Sequence, residues 1–243
     1  MEITDVNTLF GAYPSQHPDT TADTLVAAMQ RNGVQWCLTL ATWGLFHSQR
    51  DGNEETLRAC RAHQELLPAA TINPKEFLGQ IKAIENLLAQ GFEMIRFFPE
   101  HQGWPIEFSP FRDVVSILAG AGAPPVMVDI AVAGDITKLM RIVEDYAGAI
   151  ILAGVDRHTL AEAISVMRSR DKVYLETHAL RLTDGLAAIR DSVGVDRILF
   201  GSEAPGSSLS AAMRYVRSSN LTPEEQDAVL GGNAMKVWKT AEG

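Results

Sequence analysis

Two cysteines in 243 residues are too few for a disulfide framework. Cys37 lies in an apolar run and Cys60 on a helical stretch, so both are expected as reduced thiols. Basic residues are also in deficit: 21 Lys and Arg stand against 30 Asp and Glu, a formal charge of −9. That balance argues against nucleic acid or an anionic membrane surface as partner, because both reward basic patches. No apolar run approaches the ~20 residues that span a bilayer, and Met1 leads directly into a strand-like segment without a leader. A soluble, cytoplasmic protein that meets a small-molecule substrate is the expectation. The first strand–helix turn, Asn7 to Gly11, lacks the glycine fingerprint of a dinucleotide site. Ser202 lies in Gly-Ser-Glu, which is not a nucleophile elbow, and Cys37, in mid-strand, should be inert.

Hydrophobic residues make up 46% and charged residues 21% of the chain, ordinary values for a globular protein with a sizeable core. Short apolar runs at 3–6, 35–41, 67–72, 93–98, 126–130, 150–153, 173–176 and 198–201 read as strands. Near-continuous runs such as Ile150-Ile151-Leu152-Ala153 suit parallel strands buried on both faces. Amphipathic stretches fill the intervals: Ile136, Leu139, Met140 and Val143 fall on one helical stripe, as do Ile81, Ile84 and Leu88. Asn73-Pro74 with Glu76, and Thr222-Pro223 with Glu225, carry the chemistry of helix starts. Eight strands alternating with helices predict a closed (β/α)8 TIM barrel, an α/β fold, with 1–243 as a single domain. An open doubly wound sheet is the competing architecture.

In such a barrel the active site lies at the carboxyl ends of the strands. This rule nominates Asn7 after the first strand and Arg96 at the end of the fourth. Asp129 closes the fifth, Glu176 and His178 close the seventh, and Glu203 follows the eighth. The stretch after the second strand carries Trp43, His47, Arg50 and Asp51, and the one after the fourth carries Glu100, His101 and Trp104. Both read as long polar and aromatic lids.

Six segments in order carry a family resemblance. Asp5-Val6-Asn7-Thr8-Leu9-Phe10-Gly11 resembles the first-strand motif Asp-x-His-x-His of the amidohydrolase-related family. Gly91 to Pro99 is similar to its fourth segment, Pro125 to Asp129 to its fifth strand, and Ile150 to Gly154 to the strand that carries a further histidine. Arg197-Ile198-Leu199-Phe200-Gly201-Ser202-Glu203-Ala204-Pro205 resembles the closing Arg-x-Leu-Phe-Gly-Ser-Asp-x-Pro, and Gly232-Asn233-Ala234 the motif before the last helix. The resemblance implies a TIM barrel and hydrolytic chemistry. Metal-dependent members hold a divalent ion with four histidines and the closing aspartate. This chain offers Asn7, Leu9, Asp129, Gly154 and Glu203 at those positions.

Two of these cannot ligate, and the rest are oxygen donors, which zinc takes only as a supplement. No cofactor is therefore expected; the alternative is a Mg²⁺ ion held by Asp129, Glu203 and waters. Glu203 and Asp129 are the expected catalytic pair. If they share a cavity with Glu176, repulsion should raise at least one pKa. Asn7, Arg96, Glu100, His101, Glu176, His178, His47 and Trp43 are expected to bind substrate, Arg96 either pairing with the carboxylates or clamping a substrate carboxylate. Trp104 is a second candidate for the pocket wall. The function that follows is hydrolysis of a small polar or carboxylated molecule of ester or lactone type, without the usual metal centre. Its rivals are a non-catalytic ligand-binding barrel and a metal-dependent hydrolase or decarboxylase with an oxygen-rich site. Polar groups gathered at the mouth would favour an enzyme; a mouth plugged by Leu9, Phe10 and tryptophans would favour the binder. A homodimer is the assembly weighed, although no face for it is legible.

Overall fold

The computed structural model describes residues 2–14 and 16–239, with side chains left aside at 16–19 and 239. Strands and helices alternate along it: β1 (Thr4–Tyr13), β2 (Gln16–Thr20), α1 (Ala22–Asn32), β3 (Trp36–Ala41), α2 (Thr42–Phe46), α3 (Gln49–Ala62), β4 (Leu66–Thr71) and α4 (Ile81–Leu88). There follow β5 (Met94–Phe97), α5 (Pro99–Gln102), α6 (Ser109–Gly120), β6 (Val126–Asp129), α7 (Asp135–Ile142), β7 (Ile150–Ala153), α8 (Leu160–Ser169), β8 (Val173–Glu176) and α9 (Gly185–Val193). The chain ends with β9 (Ile198–Leu199), α10 (Leu209–Arg217), α11 (Pro223–Asp227) and α12 (Asn233–Lys239).

Eight of the strands, β1 and β3 to β9, run parallel in sequence order. The ring closes where Val6 N–H donates to Phe200 O (2.9 Å), Glu203 N–H to Asn7 O (2.8 Å) and Leu9 N–H to Ala204 O (2.7 Å). The result is the expected (β/α)8 barrel. Its interior is filled by Val6, Leu9, Leu38, Leu40, Met94, Met127, Ile151 and Leu199. A second, larger layer, with Phe10, Leu139, Phe111 and Ile189 among its members, packs the strands against the helices. Branched apolar side chains on both faces of each strand explain why alternation is lost.

The closing motifs earn their residues structurally. Arg197 donates to the carbonyls of Met167, Arg170 and Val193, tying three chain ends at the base of the barrel. Asn233 donates to Val195 O and Ile198 O, which seats α12 beneath the inner core with Ala234 and Val237. Thr222 and Glu225 form the expected reciprocal cap.

Several local expectations change. The first strand runs seven residues past the expected end and turns back as a hairpin with β2, Gly11 taking φ 106°. The stretch after the second strand is not a loop: α2 and α3 fill it, Ser48 accepting from Asp51 N–H to start the second. Asn73-Pro74 opens only a single tight turn, because Gly79 at φ 94° breaks the backbone before α4. Trp104 lines no pocket. It is 4% exposed and packs on Phe97 and Phe111, with ring centroids 6.4 and 4.9 Å away.

Urea denaturation checks that correction. Trp104→Ala should cost about 3–5 kcal/mol as a core truncation, whereas Trp43→Ala, at a side chain 47% exposed, should stay within about 0.5 kcal/mol.

Candidate active site

A small cavity of about 130 Å³ opens at the carboxyl end of the strands, lined by Glu100, His101, Asp129, Ile130, Ala131, Gly154, His178 and Glu203. Leu9 lies in the interior core and Phe10 in the outer layer, so neither plugs it.

At the floor Arg96, 1% exposed, extends from β5. Its Nη1 donates to Asn7 Oδ1 at 2.6 Å, and Nη2 and Nε donate to Asp129 Oδ1 at 3.2 and 3.4 Å. The guanidinium carbon lies 4.5 Å from the centre of the Phe98 ring. A buried guanidinium has to be paired, since an uncompensated charge there costs several kcal/mol. Asn7 and Asp129 supply that pairing, so the structure realises the counter-charge role weighed for Arg96.

The second assembly stands on β8. Glu176 is fully buried and is not among the residues that line the cavity. Its Oε1 pairs with His178 Nδ1 and accepts from Gly154 N–H at 3.3 Å, while Oε2 accepts from His178 N–H at 2.9 Å. A Cβ at Gly201 would sit 2.1 Å from Glu176 Oε2, so the glycine of the closing motif makes room for this carboxylate. The other ring nitrogen, His178 Nε2, points to Glu203 Oε2 at 3.6 Å. Asn7 lies between the two assemblies, its Nδ2 3.2 Å from His178 Nδ1. Burial works against the His178 cation, but the charge and hydrogen bond of Glu176, with Glu203 and Asp129 beyond, push its pKa up to about 9. Glu176 is correspondingly held below the usual carboxylate range by His178, against the effect of burial. Repulsion is expected to raise at least one carboxyl of the group; at Glu176 the nearer His178 cation prevails.

The carboxyl that does rise is Asp5, pushed to about 7 by complete burial. Its Oδ1 accepts from Asn7 N–H (3.0 Å) and Ser202 N–H (3.1 Å), and its Oδ2 has no hydrogen-bond partner among the described residues. Asp5 therefore braces the seam between the first and last barrel strands, directly behind Asn7 and Glu203. Glu203 itself takes φ 59°, a left-handed conformation rare for a residue with a side chain, and it is 27% exposed in its side chain.

The rim is aromatic. Trp43 and His47 on and after α2 stack with centroids 4.2 Å apart, and His101 meets Phe46 and Phe98 edge-on at 6.0 and 6.2 Å. Tyr13, from the strand extension, meets Phe46 at 5.4 Å. Arg50 and Asp51 lie on α3, where Arg50 pairs with Glu54 on an exposed face. Asn7, Arg96, Asp129, Glu176, His178 and Glu203 are thus brought together as one cluster, Glu100 and His101 join it at the cavity wall, and Trp43 and His47 stand outside it. Asp5, read only as the first residue of the first-strand motif, and Tyr13 were not among the expected site residues. A carboxylate in an apolar strand was the available signal for the first; nothing local marks the second.

The family model described as amidohydrolase matches residues 5–240. Among solved structures, 2,6-dihydroxybenzoate decarboxylase from Rhizobium superposes with a TM-score of 0.78 at 12% identity, covering 100% of this chain and 99% of that one. A dihydroxybenzoic acid decarboxylase from Polaromonas sp. JS666, with bound manganese and the inhibitor 2-nitroresorcinol, gives 0.76 at 12% identity over 98% and 97%. A putative 2-pyrone-4,6-dicarboxylic acid hydrolase from Pseudomonas putida gives 0.76 at 15% identity over 98% and 97%. No curated protein sequence matches. At these identities the likeness is one of fold.

The manganese in the Polaromonas structure overturns the expectation that no cofactor is involved: this fold does carry a metal in a structural neighbour. The donors in this chain do not reproduce a histidine-rich centre. Gly154 has φ 76°, and a Cβ there would lie 2.7 Å from Ile130 O, so no side chain fits. Asp129 already receives Arg96. Among the described residues no group of three His, Cys, Asp or Glu is placed to hold an ion. The residues do not fit such a centre, and no step below is routed through a metal.

Histidine ring NMR tests the buried pair. The His178 signal, assigned with His178→Gln, should titrate near pH 9, and Glu176→Gln should return it toward or below the ordinary 6.5. Because the folded value is raised, this contribution to stability is complete below about 6.5 and is lost as pH rises through about 9.

Proposed function

The chain belongs to the amidohydrolase family, and from that premise we propose that it is an enzyme hydrolysing a small, uncharged polar ester or lactone at the barrel mouth. The observation that carries this reading is the imidazole of His178 held between buried Glu176 and half-open Glu203.

The roles follow from the geometry. Glu203, at the cavity wall and free of any guanidinium, serves as general base. It takes a proton from water as the water oxygen bonds to the substrate carbonyl carbon. His178, kept cationic at neutral pH, faces the negative charge that develops on the carbonyl oxygen. When the carbon–oxygen bond to the leaving group breaks, the proton held by Glu203 passes to the departing oxygen. Asp129 and Asn7 fix Arg96 at the floor, and Glu100 and His101 bound the pocket. Glu176 is a positioning residue acting through His178.

Charge selects the substrate class. Glu100, Asp129 and Glu203 line the cavity, and the one buried guanidinium is already paired. A carboxylated substrate would meet like charge, and the cations at hand are already paired, Arg96 with Asp129 and His178 with Glu176, which weighs against the carboxylated half of the expected substrate class and against a decarboxylase reading. The small volume admits a single ring or a short ester.

A pH-stat screen with 2-pyrone, δ-valerolactone and 4-nitrophenyl acetate tests the reading. Glu203→Gln should lower kcat by roughly 10²–10⁴-fold, the range for losing a general base. Glu203→Gly should be as inactive yet equally stable or stabler by about 1 kcal/mol, since glycine accepts φ 59° without strain. Equal turnover by wild type and Glu203→Gln would sink the assignment, and evolution of CO₂ from an aromatic acid would sink the substrate class.

A further inference from the structure

The rim holds a hydrogen-bond donor that the roles above leave unused. Tyr13 lies on the part of β1 that runs beyond the barrel wall, paired with Gln16 of β2. Its ring is fixed by the edge contact with Phe46. Its hydroxyl has no hydrogen-bond partner among the described residues. A methyl group built at Gly206 would lie 3.8 Å from Tyr13 Oη and 3.8 Å from Glu203 Cγ, so the phenol and the Glu203 side chain border one small space. Glu203, Arg96 and Asp129 are the charges that reach the phenol, and burial together with Glu203 pushes its pKa up to about 12. The group is therefore a neutral O–H donor throughout the working pH range, beside a carboxylate that would expel a phenolate.

We propose that Tyr13 contacts the bound substrate, donating its phenol hydrogen to a substrate oxygen beside Glu203. A half-buried hydroxyl with no acceptor among the described residues makes no bond within that part of the fold. It is left to meet something that enters the site, either water or substrate. Because Arg96 is engaged by Asn7 and Asp129, the donors left to hold an uncharged carbonyl compound are those of His178, the His101 ring and Tyr13. Tyr13 stands on the Glu203 side, where the attacked ester group must lie. The hairpin that carries it then has a purpose: it extends the first strand past the barrel wall and sets an aromatic hydroxyl beside the Glu203 side chain.

This inference rests on the hydrolase reading, and the experiment separates the two. Tyr13→Phe keeps the ring and its contact with Phe46 and removes only the oxygen. Steady-state kinetics are measured for wild type and Tyr13→Phe on the ester or lactone of the panel that wild type turns over fastest. Thermal melting of both proteins runs in parallel. The expected result is a fall in kcat/KM of roughly 10- to 100-fold, in the lower part of the range for removing a positioned donor, with the melting temperature unchanged. Unchanged kinetics in Tyr13→Phe would overturn the role of Tyr13 and leave the hydrolase reading standing. A loss of activity matched by a large drop in melting temperature would also overturn it, by showing the hydroxyl to be structural. If wild type turns over no member of the panel and none perturbs its NMR spectrum, the hydrolase reading falls and the role of Tyr13 falls with it.

Discussion

A guanidinium that water cannot reach dictates much of what surrounds it. Arg96 enters the barrel mouth from below, and its charge has to be met within the protein. Asn7 on the first strand and Asp129 on the sixth meet it, and Phe98 covers one face. Those contacts engage all three nitrogens of Arg96 and much of the acceptor capacity of Asp129. Two residues that look like reacting groups in a strand-end inventory thereby become a floor. The charge left to act is displaced to the next pair of strands, where Glu176 holds His178 against Glu203.

The two assemblies depend on backbone that makes room for them. Glu176 occupies space that a side chain at Gly201 would fill, and the carbonyl of Ile130 occupies space that one at Gly154 would fill. Both glycines sit at strand ends, where the loops begin and where a bare backbone lets a neighbouring strand approach closely. Asp5 completes the frame by holding the amides of Asn7 and Ser202 across the closing seam. Glu203 pays for its placement with a left-handed backbone, and such strain persists when the structure around it over-determines the position. Here the hydrogen bonds from Glu203 N–H to Asn7 O and from Ser207 N–H to Glu203 O do so.

The barrel was legible because each strand is a short apolar run and each helix carries its own stripe. Both signals are local in sequence and survive in any order of packing. The strand ends then nominate site residues by rule, and six of those residues do converge. The rim was less legible. Residues 42–52 read as a lid loop because glycine and polar residues outnumber apolar ones there, yet Ser48 caps a helix whose Asn53 and Thr56 turn inward to bond the strands. Tyr13 carries no mark at all, since its place follows from how far the first strand runs past the wall and from the hairpin that returns it.

Left to itself, the sequence determined the alternation of elements, the barrel that closes them, and the strand ends at which chemistry would gather. Local periodicity and capping are enough for that. Tertiary structure alone decided which charges cancel and which stay free. Asn7 and Arg96 are 89 positions apart and Arg96 and Asp129 are 33 apart, so no local pattern could say that they bond. The protonation of His178 depends on how deeply Glu176 is buried and on its distance from the ring, and those are settled only when the last strand closes on the first.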